Sequence, residues 1–189
     1  MSNKIYLILA IMISAGLAGC SDEPEDPIIE NESELITTVI YELISDSKAD
    51  TLQLTFRDVD GDGGMAPEIT ADTLKANTNY TGLIKLLDES GEDTEDITVE
   101  VSAEGEEHQL FYAAQPDSVT ISYNSANVDG NGNPVGISTQ LSTRGAFQGS
   151  LTITLRHEPD KFADGVADGE IENAGGETDI EVEFPLVVE

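Results

Sequence analysis

The chain predicts an all-β domain, an antiparallel β-sandwich of about eight strands, and two observations carry that expectation. From residue 34 onward, apolar side chains recur mostly with a period of two, and threonine, valine and isoleucine crowd those runs, the mark of half-buried strands. Between the runs stand clusters of Gly, Asp, Asn and Pro, the residues that supply turn geometry.

Leu35 to Leu43 opens the series and Leu52 to Phe56 follows, with Leu52, Leu54 and Phe56 on one side and Gln53, Thr55 and Arg57 on the other. Asn79 to Leu87 is the third run, with Ile84 and Leu86 alternating against Lys85. His108 to Tyr112, Val119 to Tyr123 and Ile137 to Leu141 come next. Two long runs close the chain: Leu151, Ile153 and Leu155 with threonines and Arg156 outward, then Ile180, Val182, Phe184, Leu186 and Val188 with acids outward. Short strands at this spacing fit an immunoglobulin- or fibronectin-like sandwich.

Asp96 to His108 reads either as a strand ending at Val101 or as one short helix capped by Asp96, with Ile97, Val101 and His108 on a common face. Gly105 would cost such a helix about 1 kcal/mol relative to alanine. The reading adopted is a short helix or helical turn. Asp160 to Glu177, rich in Gly, Asp and Asn, reads as a long surface loop with no core of its own.

Residues 1–19 read as a lipoprotein signal peptide. Lys4 gives a positive start, Ile5 to Ile13 an apolar run interrupted only by Tyr6, and Leu17-Ala18-Gly19 precede Cys20. That run falls short of the roughly 20 apolar residues a spanning helix needs, so removal of the leader is expected. Cys20 is the sole cysteine, which leaves no disulfide framework and a thiol available for acylation. Residues 20–33 then form an acidic, proline-bearing tether that cannot bury enough apolar surface to fold, and residues 34–189 form a single domain.

The formal net charge is −30, and loss of Lys4 with the leader makes the mature chain one unit more negative. Such a field repels nucleic acid and anionic headgroups and favours cations or basic partners. Tryptophan is absent and aromatics make up 5% of residues, which argues against a sugar-stacking platform.

Asp58-Val59-Asp60-Gly61-Asp62-Gly63-Gly64 is the strongest chemical signal in the mature domain. Alternate acids with a glycine after the third can wrap oxygens around one cation, and calcium takes six to eight oxygens at about 2.3–2.6 Å. Asp58, Asp60 and Asp62 with the Gly64 carbonyl are therefore a candidate calcium loop. The place of an EF-hand's bidentate glutamate is taken by Ile69, and the flanks read as strand, so the loop belongs to the looser Asp-x-Asp-x-Asp-Gly type. The competing reading is an acidic turn. Asn127, Asp129 and Asn131 repeat the spacing with less charge; hairpin chemistry accounts for them equally well, so they are weaker metal candidates.

The two histidines, His108 and His157, sit beside acids in Glu106-Glu107-His108 and His157-Glu158. Together they would suit zinc or copper, but no sequence spacing joins them, and each alone reads as a packed structural residue. There is no Gly-x-Ser-x-Gly elbow, phosphate-cradling loop or His-Glu-x-x-His helix, and no enzyme is expected.

Ser21-Asp22-Glu23, followed by Pro24-Glu25-Asp26-Pro27, resembles the acidic export tag behind the lipidated cysteine of surface-exposed lipoproteins of Bacteroidota. Segments along the mature chain extend the resemblance to a family of small surface lipoproteins of that group: Glu34 to Val39, Phe56 to Gly64, Glu106 to Gln109, Gly132 to Gly136 and Leu155 to Pro159. The resemblance implies an outer-membrane, lipid-anchored, outward-facing address and no particular activity. Family members are sometimes labelled type 1 periplasmic binding folds, whereas the alternation here is nearly all β.

The expected function is a non-enzymatic surface lipoprotein with a calcium-binding loop, acting as a ligand- or partner-binding module for a protein or glycan. The alternatives are an accessory component of a glycan or peptide uptake complex and a metal-dependent hydrolase. Convergence of His108, His157 and carboxylates in a pocket would favour the hydrolase; an exposed groove would favour the binding module.

Overall fold

Period-two alternation builds two antiparallel sheets in the computed structural model, which describes residues 34–48, 50–61 and 64–189. The larger sheet contains β1 (Thr38–Ser45), β2 (Thr51–Arg57), β3 (Glu68–Ala71), β4 (Asn79–Asp88), β5 (Glu95–Asp96), β7 (Val119–Tyr123) and β8 (Ser138–Thr143). Its strand order is β3-β2-β1-β4-β8-β7, with β5 pairing the end of β4. The smaller sheet has the order β10-β9-β6, formed by β6 (His108–Gln115), β9 (Phe147–His157) and β10 (Glu177–Val188). The expected all-β sandwich is therefore found, with β3 and β5 as additions to the predicted runs. Among the described residues, no helix is long and apolar enough to cross a membrane.

The inward faces meet in one core. Tyr41, Leu43, Leu54, Tyr80 and Leu86 of the large sheet are buried with Leu110, Leu151, Ile153, Leu155, Phe184 and Leu186 of the small one. Each such side chain stabilises the fold by roughly 1.5–3 kcal/mol relative to an exposed position. In β10, Val182, Phe184, Leu186 and Val188 are buried while Glu181 and Glu183 are exposed, as the alternation requires.

The ambiguous segment forms α1 (Ile97–Ala103). Asp96 is its N-cap: Asp96 Oδ1 accepts the Thr98 N–H at 3.2 Å, and Ile97 and Val101 are buried. The helix ends before Gly105, so its penalty does not arise, and His108 belongs to β6 rather than to the helical face. The Thr98 hydroxyl donates to the Leu86 carbonyl and accepts the Leu86 N–H, pinning α1 to the edge of β4 away from β1, between its pairings with β8 and β5.

Asp160 to Glu177 corrects the expectation of a coreless loop. It contains two 3-10 turns, Val166–Asp168 and Ile171–Asn173, and its Val166 and Ala174 are buried against Phe111. Gln109 Nε2 donates to the Val166 carbonyl at 2.7 Å. The start of β6 is thus covered on both faces, with His108, Gln109, Leu110 and Phe111 all buried.

Candidate functional site

A groove of about 840 Å³ opens between α1 and the outward face of β1, β2 and β4. Period-two geometry decides its floor: Tyr41, Ile84 and Leu86 point into the sandwich, so Ile40, Glu42, Leu83 and Lys85 point out. Leu83 is 39% exposed, and on the facing helix Val99 is 68% exposed. Asp96, Lys85, Glu42 and Gln53 surround them with polar groups, and among the described residues no aromatic side chain lines the groove. Its volume lies within the roughly 300–1,000 Å³ typical of small-ligand sites.

The first acidic loop folds on itself. Asp58 Oδ1 accepts the Gly61 N–H at 3.1 Å and Asp60 Oδ2 accepts the Met65 N–H at 2.9 Å, while the Gly64 N–H donates to the Gly61 carbonyl at 3.1 Å. The Asp60 carboxylate lies where a Cβ on residue 64 would be, so a larger residue there would displace that carboxylate. Asp62 lies outside the described residues.

In the second loop, Asp129 Oδ1 accepts the N–H groups of Asn131 and Asn133, both at 2.9 Å, and Asn127 Oδ1 accepts the Ser138 N–H at 3.1 Å. Asp129 Oδ2 meets the Lys161 ammonium at 3.1 Å. The cation at this turn is thus the protein's own. Asn131 contributes its backbone N–H to the turn.

The histidines, unconnected in sequence, meet in space. His108 at the start of β6 and His157 at the end of β9 are direct cross-strand partners. Their rings lie 4.6 Å apart at 72°. His108 shares a strand face with the core residue Leu110, and His157 shares one with Leu155, so both rings point into one end of the sandwich interior. Two carboxylates join them, and sequence reasoning had singled out neither. Glu34 lies just ahead of β1; its Oε1 is 2.8 Å from His108 Nε2 and its Oε2 is 3.7 Å from His157 Nδ1. Asp179 falls between Thr178 and Ile180, where the register of β10 on β9 shifts. A residue inserted there breaks the alternation and turns its side chain inward. Its oxygens lie 3.9 Å from each histidine.

All four side chains are no more than 7% exposed. One donor atom from each lies within 4.8 Å of the others, a separation at which they could hold a metal ion. Burial pushes the Asp179 carboxyl up to about 7, and the Glu34 charge adds to that while His157 opposes it. The cluster is buried inside the sandwich, whereas the groove lies on the outer face of the large sheet. The chain matches no family model, no curated protein and no solved structure.

Proposed function

We propose that the protein is a non-enzymatic binding module carried at the outer membrane on an acylated Cys20, facing outward, and that it engages a peptide segment of a partner in the groove beside α1. The observation that carries this reading is the exposed apolar pair Leu83 and Val99, ringed by polar groups on an otherwise acidic surface. An apolar centre with a polar rim is the anatomy of a recognition site. The lack of aromatic lining favours a peptide over a sugar, because sugar faces are recognised by stacking on rings. A service role in a peptide-uptake complex is compatible with the same groove.

The hydrolase alternative has its convergent histidines and carboxylates, but they are closed off. Substrate hydrolysis needs an approach to the reacting centre, and His108 and Asp179 side chains are 0% exposed.

Peptide-display selection against the purified domain tests the groove. Binders should lose affinity for Leu83→Glu and Val99→Glu, both of which alter exposed side chains and leave the core intact. Binders indifferent to both variants would move the site elsewhere. For the address, Cys20→Ala should release the protein from the membrane fraction, and protease added to whole cells should cleave the wild-type domain.

A further inference from the structure

We propose that Glu34, His108, His157 and Asp179 form a closed structural site for one divalent first-row transition ion, best fitted by zinc.

Geometry is the first support. A tetrahedral zinc with bonds of about 2.0–2.1 Å separates its ligand atoms by roughly 3.4 Å. One donor atom from each of the four residues lies within 4.8 Å of the others, so small side-chain shifts would bring them to that spacing. The ligands come from the segment ahead of β1 and from β6, β9 and β10, so a bound ion would tie the large sheet's leading segment to all three strands of the small sheet.

Proton placement is the second. His108 Nδ1 lies 3.2 Å from the Glu104 carbonyl, an oxygen that can only accept. With a proton on Nδ1 for that carbonyl, Nε2 is the ring nitrogen that a metal would use. Nε2 lies 2.8 Å from Glu34 Oε1, close enough for one ion to be reached by both. The Glu104 carbonyl then plays the outer-shell part that metal-bound histidines usually have, fixing ring and tautomer.

Unmet polarity is the third. His108 Nε2, Glu34 Oε2 and both Asp179 oxygens are buried with no hydrogen-bond partner outside the cluster, in which Asp179 meets Glu34. Buried groups left so cost about 1–3 kcal/mol each, and more when charged. Two carboxylates with a dication make a neutral centre, which removes the penalty for burying net charge.

The donor set selects the ion. Imidazole nitrogen suits zinc and its neighbours, while calcium and magnesium take oxygen ligands; none of the four side chains is a thiolate that would favour copper(I). Four protein ligands leave no open position, as in structural rather than catalytic zinc sites.

The test begins with chelator-treated full-length protein in detergent, using cobalt(II) and zinc(II) as probes. Wild type should take up one equivalent of cobalt with the intense visible bands of a tetrahedral site, and zinc should displace it and raise Tm. Millimolar calcium should not displace it. Glu34→Gln, which alters the segment ahead of β1 and spares the strands, should bind more than about tenfold more weakly, as should His157→Gln. Circular dichroism would establish that each variant is folded. Absence of stoichiometric uptake by folded wild type would overturn the site and leave a cluster held by shared protons. Equal uptake by both folded variants would also overturn it, placing the metal on surface carboxylates.

Discussion

Lys161 and Asp129 form a buried ion pair, Nζ to Oδ2 at 3.1 Å, in which the lysine also donates to the Pro134 carbonyl at 3.1 Å and to the Gly105 carbonyl. It joins Asp160 to Glu177 to the turn around Asp129 and to the chain leaving α1. Removing one member of a buried pair strands the other and typically costs about 3–5 kcal/mol. Lys161→Met should therefore lower Tm by roughly 10 °C, at about 2–4 °C per kcal/mol for a domain of this size. Asp129→Asn retains an oxygen for the Asn131 and Asn133 N–H groups, so the double variant Lys161→Met/Asp129→Asn should lose clearly less than the two single losses combined. Strict additivity in thermal melts would refute the pairing.

The same pair has a pH signature. Burial pushes the Asp129 carboxyl up, but the Asn133 N–H, the Lys161 ammonium and the Asn131 N–H outweigh it and hold the group below its ordinary value. A depressed folded pKa means that the unfolded chain takes up the proton first. The stabilisation is then complete above the unfolded carboxylate value of about 4 and is lost as pH falls through the lower folded value. Wild type should exceed Asp129→Asn in Tm at pH 6, and the gap should close as the pH approaches 2. A gap that stays constant in acid would show that the carboxylate's charge contributes nothing.

Gly82 in β4 lies under a second buried contact, Tyr41 Oη to Thr139 Oγ1 at 2.6 Å. A Cβ at residue 82 would fall on both oxygens. Overpacking of this kind costs about 1–3 kcal/mol, so Gly82→Ala should be less stable to urea with an unchanged m-value. Tyr41→Phe removes one of the obstructing atoms, and in that background the alanine should be milder. An equal penalty in both backgrounds would mean that the backbone, rather than the hydroxyl pair, sets the requirement for glycine.

The sandwich was legible because β9 and β10 bury one face each, and burial of one face writes itself into the sequence as alternation. β3, Glu68–Ala71, is exposed at every residue and β5 has only two residues, so neither leaves such a trace. Asp160 to Glu177 hid its core contribution in Val166 and Ala174, two small apolar residues among many turn formers. For the buried cluster, half of the signal was present. His108 continues the parity of Leu110 and Tyr112, and His157 that of Leu151, Ile153 and Leu155, which points both rings inward. Their meeting depends on the β6–β9 register, which one-dimensional pattern does not give. Asp179 turns inward at a register shift, against its local alternation, and Glu34 follows an acidic run in which nothing distinguishes it.

Calcium at the first acidic loop gives the last prediction. Asp58 and Asp60 each use one oxygen for a backbone N–H of the loop, which sets the turn and holds the Asp60 carboxylate close to Gly64. Like charges gathered this way repel, and a hard dication that binds only the folded loop should relieve that repulsion and stabilise the domain. At about 100 times the dissociation constant the gain is roughly 2.7 kcal/mol, or about 5–10 °C in Tm. Asp60→Asn should show a much smaller rise, and magnesium should do less than calcium because it sheds its water reluctantly. With a net charge of −30, plain screening would also raise Tm, so the salts must be compared at matched ionic strength. The zinc-cluster variant Glu34→Gln should keep the calcium response in full, since its ligands lie in the sandwich interior and the loop is exposed at the surface. Equal calcium shifts in wild type and Asp60→Asn would reduce this loop to an acidic turn, held by its own N–H groups as the turn around Asp129 is.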